Sequence, residues 1–176
     1  MRRGKESTII SDATWGTGTG LDRVRAVADS LAHTVRSHLG LVFSELEKGR
    51  VVLRWTPADA VLNPAGVVHG GYIAAALDEV CGVTAISLSN PSTPYLTMSL
   101  NVDYLRPLAA GPTYTVAGTV QQSGGTRTLV RAEISDAAGQ LCAQAICALT
   151  PNRKVLAAAA RARATERAQE NGQGPL

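Results

Sequence analysis

The residues best equipped for chemistry lie in one stretch, Asn63-Pro-Ala-Gly-Val-Val-His-Gly-Gly71, which runs directly into Tyr72-Ile-Ala-Ala-Ala-Leu-Asp-Glu-Val-Cys-Gly-Val-Thr-Ala-Ile-Ser-Leu88. The first part has the composition of a loop. The second is a helix-length run, apolar on nearly every face, that carries two adjacent carboxylates, Asp78 and Glu79. Carboxylates in such surroundings are costly unless they are paired or put to use. His69, Gly70 and Gly71 fall where the helix begins, so unpaired backbone N–H groups and the positive end of the helix dipole point outward there. The glycines let a ligand come close to that backbone. The stretch therefore offers a donor site suited to a developing oxyanion and, two turns further on, an acid. Asp78 shares a helix face with Gly71, whereas Glu79 is turned by about 100° and is the alternative acid. Gly70 and Asp78 are separated by about 12 Å along a helix axis, too far to act on one carbonyl carbon. If both act on one reacting centre, they come from two copies of the helix, and the site is shared between subunits.

The elements around this stretch follow from periodicity. Leu21, Val24, Ala28, Leu31 and Val35 recur at helical spacing and predict a helix over Leu21–Leu39, with Gly40 as its C-cap. His33 and His38 fall on it and read as surface or packing residues. Alternation over Leu41–Glu47 and Arg50–Trp55, with Lys48-Gly49 between, predicts a hairpin. After the central helix, Ser89-Asn-Pro-Ser-Thr-Pro94 is a break. Four strand-like runs then form a meander: Tyr95–Leu105, Thr113–Ser123, Arg127–Ser135 and Gln140–Thr150, with Gly124-Gly125 as a hairpin turn. Strands gathered around one buried helix define an α+β domain, an antiparallel sheet wrapped around a long central helix. Residues 1–20 read as a loosely ordered arm, 21–151 as the domain, and 152–176 as an Ala/Arg-rich tail, helical over Val155–Gln169, that either frays or contacts another subunit. Gly16, Gly18 and Gly20 follow no strand and do not make a dinucleotide fingerprint.

Asn63 followed by His69-Gly70-Gly71 and then Asp78 resembles the acyl-CoA thioesterases of the hotdog fold, in particular the phenylacetate-pathway (PaaI-like) and 4-hydroxybenzoyl-CoA thioesterase branch. Leu39-Gly40-Leu41, Leu100-Asn-Val-Asp-Tyr-Leu-Arg-Pro107 and Gly139-Gln-Leu-Cys-Ala-Gln-Ala145 share in the resemblance, which spans about residues 21–151. It implies that Gly70 supplies the main oxyanion N–H, that Asn63 adds a side-chain donor, and that His69 holds the loop or assists. Asp78 of the partner chain would then be the nucleophile or general base, and Thr97 would position the attacking water or the acid. Thr97 and Ser99 share a strand face by simple alternation, which weakens the choice between them. Arg106 and Arg127, with Gly71 and Gly124, resemble positions that contact substrate, the arginines near the nucleotide of coenzyme A; a surface ion-pair role is the other reading of each arginine. On the bare residues, Asn63 could merely shape a turn and His69 merely cap the helix.

Composition limits the alternatives. Aromatic residues make up 4% of the chain, so Ala, Val, Leu and Ile must build the core. A formal charge of +3 concentrates near the C-terminus without interleaved aromatics, which argues against nucleic acid. The central apolar run is short for a membrane span and carries two acids. Cys81, Cys142 and Cys147 lie in apolar stretches without metal-ligand spacing, as expected of buried thiols in a cytoplasmic protein with no metal. No apolar run follows Met1-Arg-Arg-Gly-Lys5, which argues against a secretory leader. The expectation is an acyl-CoA thioesterase acting on aryl- or medium-chain acyl-CoA, a homodimer or homotetramer needing no cofactor. Its rivals are a non-catalytic acyl-CoA-binding module and a hotdog hydratase or dehydratase; the spacing of Asn63, His69 and Asp78 argues against the latter.

Overall fold

The computed structural model describes residues 15–28 and 34–171. His33, most of the N-terminal arm and the last residues of the tail lie outside them. The helix expected over Leu21–Leu39 is two pieces, α1 (Gly20–Ala28) and α2 (Val35–Leu39). Thr34 is extended (φ −120°, ψ 173°), so α2 starts afresh. Its first turn is closed by the Thr34 N–H donating to Ser37 Oγ at 2.9 Å. Arg36, 7% exposed, ties the pieces together by donating to the Val27 carbonyl at 3.0 Å. Gly40 ends α2 in the left-handed conformation (φ 74°) that a side chain would strain.

The hairpin forms as β1 (Leu41–Glu47) and β2 (Arg50–Trp55). The central helix, α3 (Gly70–Leu88), takes in both glycines that were expected to belong to the loop. His69 is its N-cap: the backbone leaves the helix there (ψ 134°) and the imidazole replaces the missing acceptor. Then come β3 (Tyr95–Tyr104), β4 (Tyr114–Ser123), β5 (Thr128–Ser135), β6 (Leu141–Pro151) and α4 (Arg153–Asn171). The six strands form one antiparallel sheet in the order β1-β2-β4-β5-β6-β3. Only β4, β5 and β6 form the expected meander. β3 crosses to the far edge and pairs with β6, because β4 is claimed by β2 on its other side.

α3 lies across one face of this sheet. Ile73, Leu77, Val80, Cys81 and Thr84 are buried against it, while Tyr72, Ala74, Ala75, Asp78 and Glu79 are only half-buried. Burial on every side was expected; instead one face of the helix is closed by the sheet and the other is only partly covered. α3 is long and apolar enough to cross a membrane by length and composition, yet it serves here as the core helix of a sheet domain. Its close seat depends on Gly118 of β4: a Cβ there would lie 2.4 Å from Thr84 Oγ1 and 3.1 Å from the Val80 carbonyl oxygen. Trp55 is fully buried and donates its indole N–H to the Leu39 carbonyl at 3.0 Å, an apolar body with its one polar atom satisfied. α4 packs against residues 15–16, just before α1. Ala159 is buried, and the Arg163 guanidinium donates to the carbonyl of Trp15.

Candidate active site

The loop before α3 is built by Asn63. Its Oδ1 accepts from the N–H groups of Ala65 (2.9 Å) and Val67 (3.4 Å), and its own N–H reaches the Val67 carbonyl at 2.8 Å. With Oδ1 so engaged, the side-chain NH2 is the end of Asn63 that remains to donate. The turn-making and donor readings are therefore compatible. At the helix start, His69 Nδ1 accepts the Gly71 N–H at 3.0 Å, and the His69 carbonyl accepts from Tyr72 (2.9 Å) and Ile73 (3.4 Å). An accepting Nδ1 requires a neutral ring with its proton on Nε2. The Gly70 N–H has no acceptor among the described residues, so it is the helix's orphan donor. Gly71, expected as a further substrate contact, spends its N–H on the cap.

Gly70 opens onto a cavity of about 310 Å³ lined by Val67, Val68, Ile73, Tyr104, Arg106 and their neighbours. Tyr104 was not singled out from the sequence. Its hydroxyl donates to the Gly70 carbonyl at 3.1 Å, closing one side of the donor site. Arg106 lies in the same wall, and its guanidinium donates to the Leu141 carbonyl at 2.6 Å.

Asp78 belongs to a different cluster. Thr97 Oγ1 donates to its Oδ1 at 2.8 Å, and the Cys147 thiol lies 4.0 Å from the same oxygen. The choice between Thr97 and Ser99 is made by a bulge in β3. Thr97 pairs with Leu149 and Ser99 with Ala148, which leaves Met98 as the extra residue. Consecutive strand residues face opposite ways, so the bulge puts Thr97 and Ser99 on opposite faces of the sheet, contrary to the expected shared face. Glu79 makes no contact with this cluster's hydroxyl. Burial pushes its carboxyl above the usual range, opposed by Arg36 of α2 and reinforced by Asp78. Among the described residues no group of three or more His, Cys, Asp or Glu side chains is placed to hold a metal ion.

The two clusters lie toward opposite ends of β3. The ladder sets Tyr104 beside Ala143 and Thr97 beside Leu149, and Leu149 in turn beside Thr128. Gly124 and Arg127, in the turn before Thr128, are thus at the Thr97 end; the Gly124 N–H donates to the Arg127 carbonyl at 2.9 Å. Seven residues of extended chain separate Thr97 from Tyr104, about 23 Å. Within one chain, then, Gly70, Tyr104 and Arg106 line one candidate half-site, with His69 and the Asn63 loop preceding it in the chain, while Asp78, Thr97, Gly124 and Arg127 lie toward the other end of β3.

Known proteins carry the same architecture. The family profile described as Thioesterase superfamily matches residues 65–143. A Saccharolobus solfataricus protein described as "Putative esterase SSO2140" is 32% identical over 127 residues, which is 71% of this chain and 89% of that protein. Among solved structures, smu.793 of Streptococcus mutans bound to acetyl CoA superposes with a TM-score of 0.64 at 25% identity, covering 70% of this chain and 97% of the other. A phenylacetic acid degradation-related protein of Ralstonia eutropha gives 0.67 at 26% identity, covering 76% and 99%. The chain belongs to the thioesterase superfamily. Its fold is the hotdog, and its class of activity is thioester hydrolysis.

Proposed function

We propose that the protein hydrolyses acyl-CoA thioesters bearing an aryl or medium-chain acyl group, giving the free acid and CoA, at sites shared between two subunits. The observation that carries this reading is the separation of the half-sites: an orphan N–H at Gly70 and a hydroxyl-bound carboxylate at Asp78, too far apart in one chain to meet on one carbonyl. A thioester hydrolase needs both a donor for the negative charge that grows on the carbonyl oxygen and a group that delivers a nucleophile. A preorganised backbone N–H at a helix N-terminus suits the first task, and the Asn63 NH2 adds to it. Asp78 suits the second as general base, with the Thr97 hydroxyl fixing the carboxylate and offering its own oxygen to the attacking water. Arg106 and Arg127 supply positive charge for the phosphates of CoA, near Gly124 in the second case. The route uses no metal or redox group, since CoA is part of the substrate.

The assembly that would unite the half-sites is a homodimer, alone or paired into a tetramer, through β3. Among the described residues no strand covers the outer edge of β3, where Leu96 and Met98 are 52% and 64% exposed. Uncovered apolar strand edges favour pairing with another chain. A two-fold axis across this edge inverts the strand, which carries the Thr97 end of one chain toward the Tyr104 end of the other. Three free, buried cysteines suit a reducing, cytoplasmic setting. The reading is tested by thiol release from a panel of acyl-CoAs. Turnover is expected on aryl and medium-chain members; binding without turnover on every member would mark a non-catalytic acyl-CoA-binding module.

A further inference from the structure

Asp78 has a neighbour that the proposed chemistry leaves unused. β6 brings Cys147, fully buried, under the helix face that carries Asp78, and its Sγ lies 4.0 Å from Asp78 Oδ1. Cys81, one turn beyond Asp78 on α3 and also fully buried, backs this thiol. The contact with Cys147, followed by burial, pushes the Cys81 thiol up, and the same contact pulls the Cys147 thiol down, the sense expected when Cys81 donates to Cys147. Thr97 addresses the same carboxylate oxygen from β3 at 2.8 Å. Both protein donors converge on Oδ1, and Oδ2 has no partner among the described residues.

We infer that Cys147 is a positioning residue for Asp78: its thiol, backed by Cys81, joins Thr97 in holding Oδ1 and leaves Oδ2 as the oxygen that acts on the substrate side. The inference rests on Asp78 being the working acid. The geometry has a chemical logic. A carboxylate fixed by one oxygen keeps a defined orientation while its other oxygen stays available to take a proton. A thiol is a weak donor, so it holds the carboxylate without tying up its basicity as a second hydroxyl or an ammonium would. Two buried sulfurs also keep water away from Oδ1, on the side facing the core. The titratable groups around Asp78 are Glu79 and Cys81 on its own helix and Cys147 on β6; Thr97 on β3 is uncharged, and the Arg36 charge of α2 bears on Glu79.

The test compares Cys147→Val, which removes the donor at similar volume, with Cys147→Ala and with Val130→Ala. Val130 pairs with Cys147 in the ladder and is equally buried, but carries no donor. Both Cys147 variants are expected to lower kcat about fivefold to tenfold at nearly constant KM, the effect of losing one modest hydrogen bond. Cys147→Ser, which restores a donor, should recover most of that kcat. Val130→Ala should lower the melting temperature and leave kcat nearly unchanged. A kcat unmoved in Cys147→Val and Cys147→Ala, or lowered just as far in Cys147→Ser, overturns the positioning role. The S–H stretching band of the wild-type protein should differ from that of Asp78→Asn, because the thiol's acceptor changes from a carboxylate to an amide. An identical band overturns the role without any Cys147 variant. Full activity in Asp78→Asn would instead remove Asp78 as the working acid.

Discussion

Thr97 Oγ1 and Asp78 Oδ1 are joined by a 2.8 Å hydrogen bond between an edge strand and the central helix. Hydrogen bonds to a charged group contribute about 1.5–3 kcal/mol. Thr97→Val should therefore reduce kcat by about tenfold to a hundredfold with little change in KM, while Thr97→Ser should retain most of the activity. Steady-state kinetics on any turned-over acyl-CoA decide this; equal kinetics for all three proteins would leave the bond without a catalytic role.

Asp78→Asn should lower turnover at least about a hundredfold with binding nearly kept, the scale of losing a positioned base, and Glu79→Gln should do far less. The reverse ranking would shift the site by one residue. Single-turnover hydrolysis in heavy-oxygen water separates the two chemical routes. A general base puts the label directly into the product acid. A nucleophilic Asp78 would form an anhydride and retain the label in its own carboxylate after that turnover.

The shared site predicts complementation. Gly70→Pro removes the orphan N–H at a first helical position, which tolerates proline, and His69 already has the extended ψ of 134° that a following proline requires. Combined with Asn63→Ala it should inactivate one half-site, and Asp78→Asn the other. Mixed dimers of the two inactive proteins should each regain one intact site. Verified subunit exchange without recovery of activity would refute sharing.

Glu79 gives a pH dependence of stability. Its folded-state carboxyl is raised above the ordinary value of 4.5, chiefly by burial. Its contribution is fully present below that value and is lost as pH rises through the higher folded one. Glu79→Gln should consequently gain stability over wild type as pH is raised from about 4 to 7. Urea midpoints across this range would show it; a constant difference would mean that Glu79 titrates alike folded and unfolded.

Gly118→Ala should destabilise the fold by about 1–3 kcal/mol, the usual cost of overpacking a tight core contact. The new Cβ would stand 2.4 Å from Thr84 Oγ1 and 3.1 Å from the Val80 carbonyl oxygen, and Thr84 is fully buried. Thr84→Ser, which keeps that oxygen, should not relieve the loss, whereas Thr84→Ala should recover part of it. Chemical unfolding of the single and double variants measures this coupling.

The sequence by itself determined the strands and the core helix, though not the break at Thr34 that splits the first expected helix in two. Alternation and glycine turns marked the hairpin and the strands to within a residue or two, because period-two burial is written locally. The apolar run after His69-Gly70-Gly71 marked the core helix, and helical geometry alone put Gly70 and Asp78 too far apart for one carbonyl. The tertiary structure decided what depends on partners distant in the chain. β3 went to the far edge because β2 occupies the side of β4 where a meander would place it. The Met98 bulge, which turns Thr97 and Ser99 to opposite faces, exists only in register with β6. Cys147 reaches Asp78 from 69 positions away, and Tyr104 reaches Gly70 from 34. No spacing within the chain records such contacts, because sheet pairing, rather than local periodicity, brings them together.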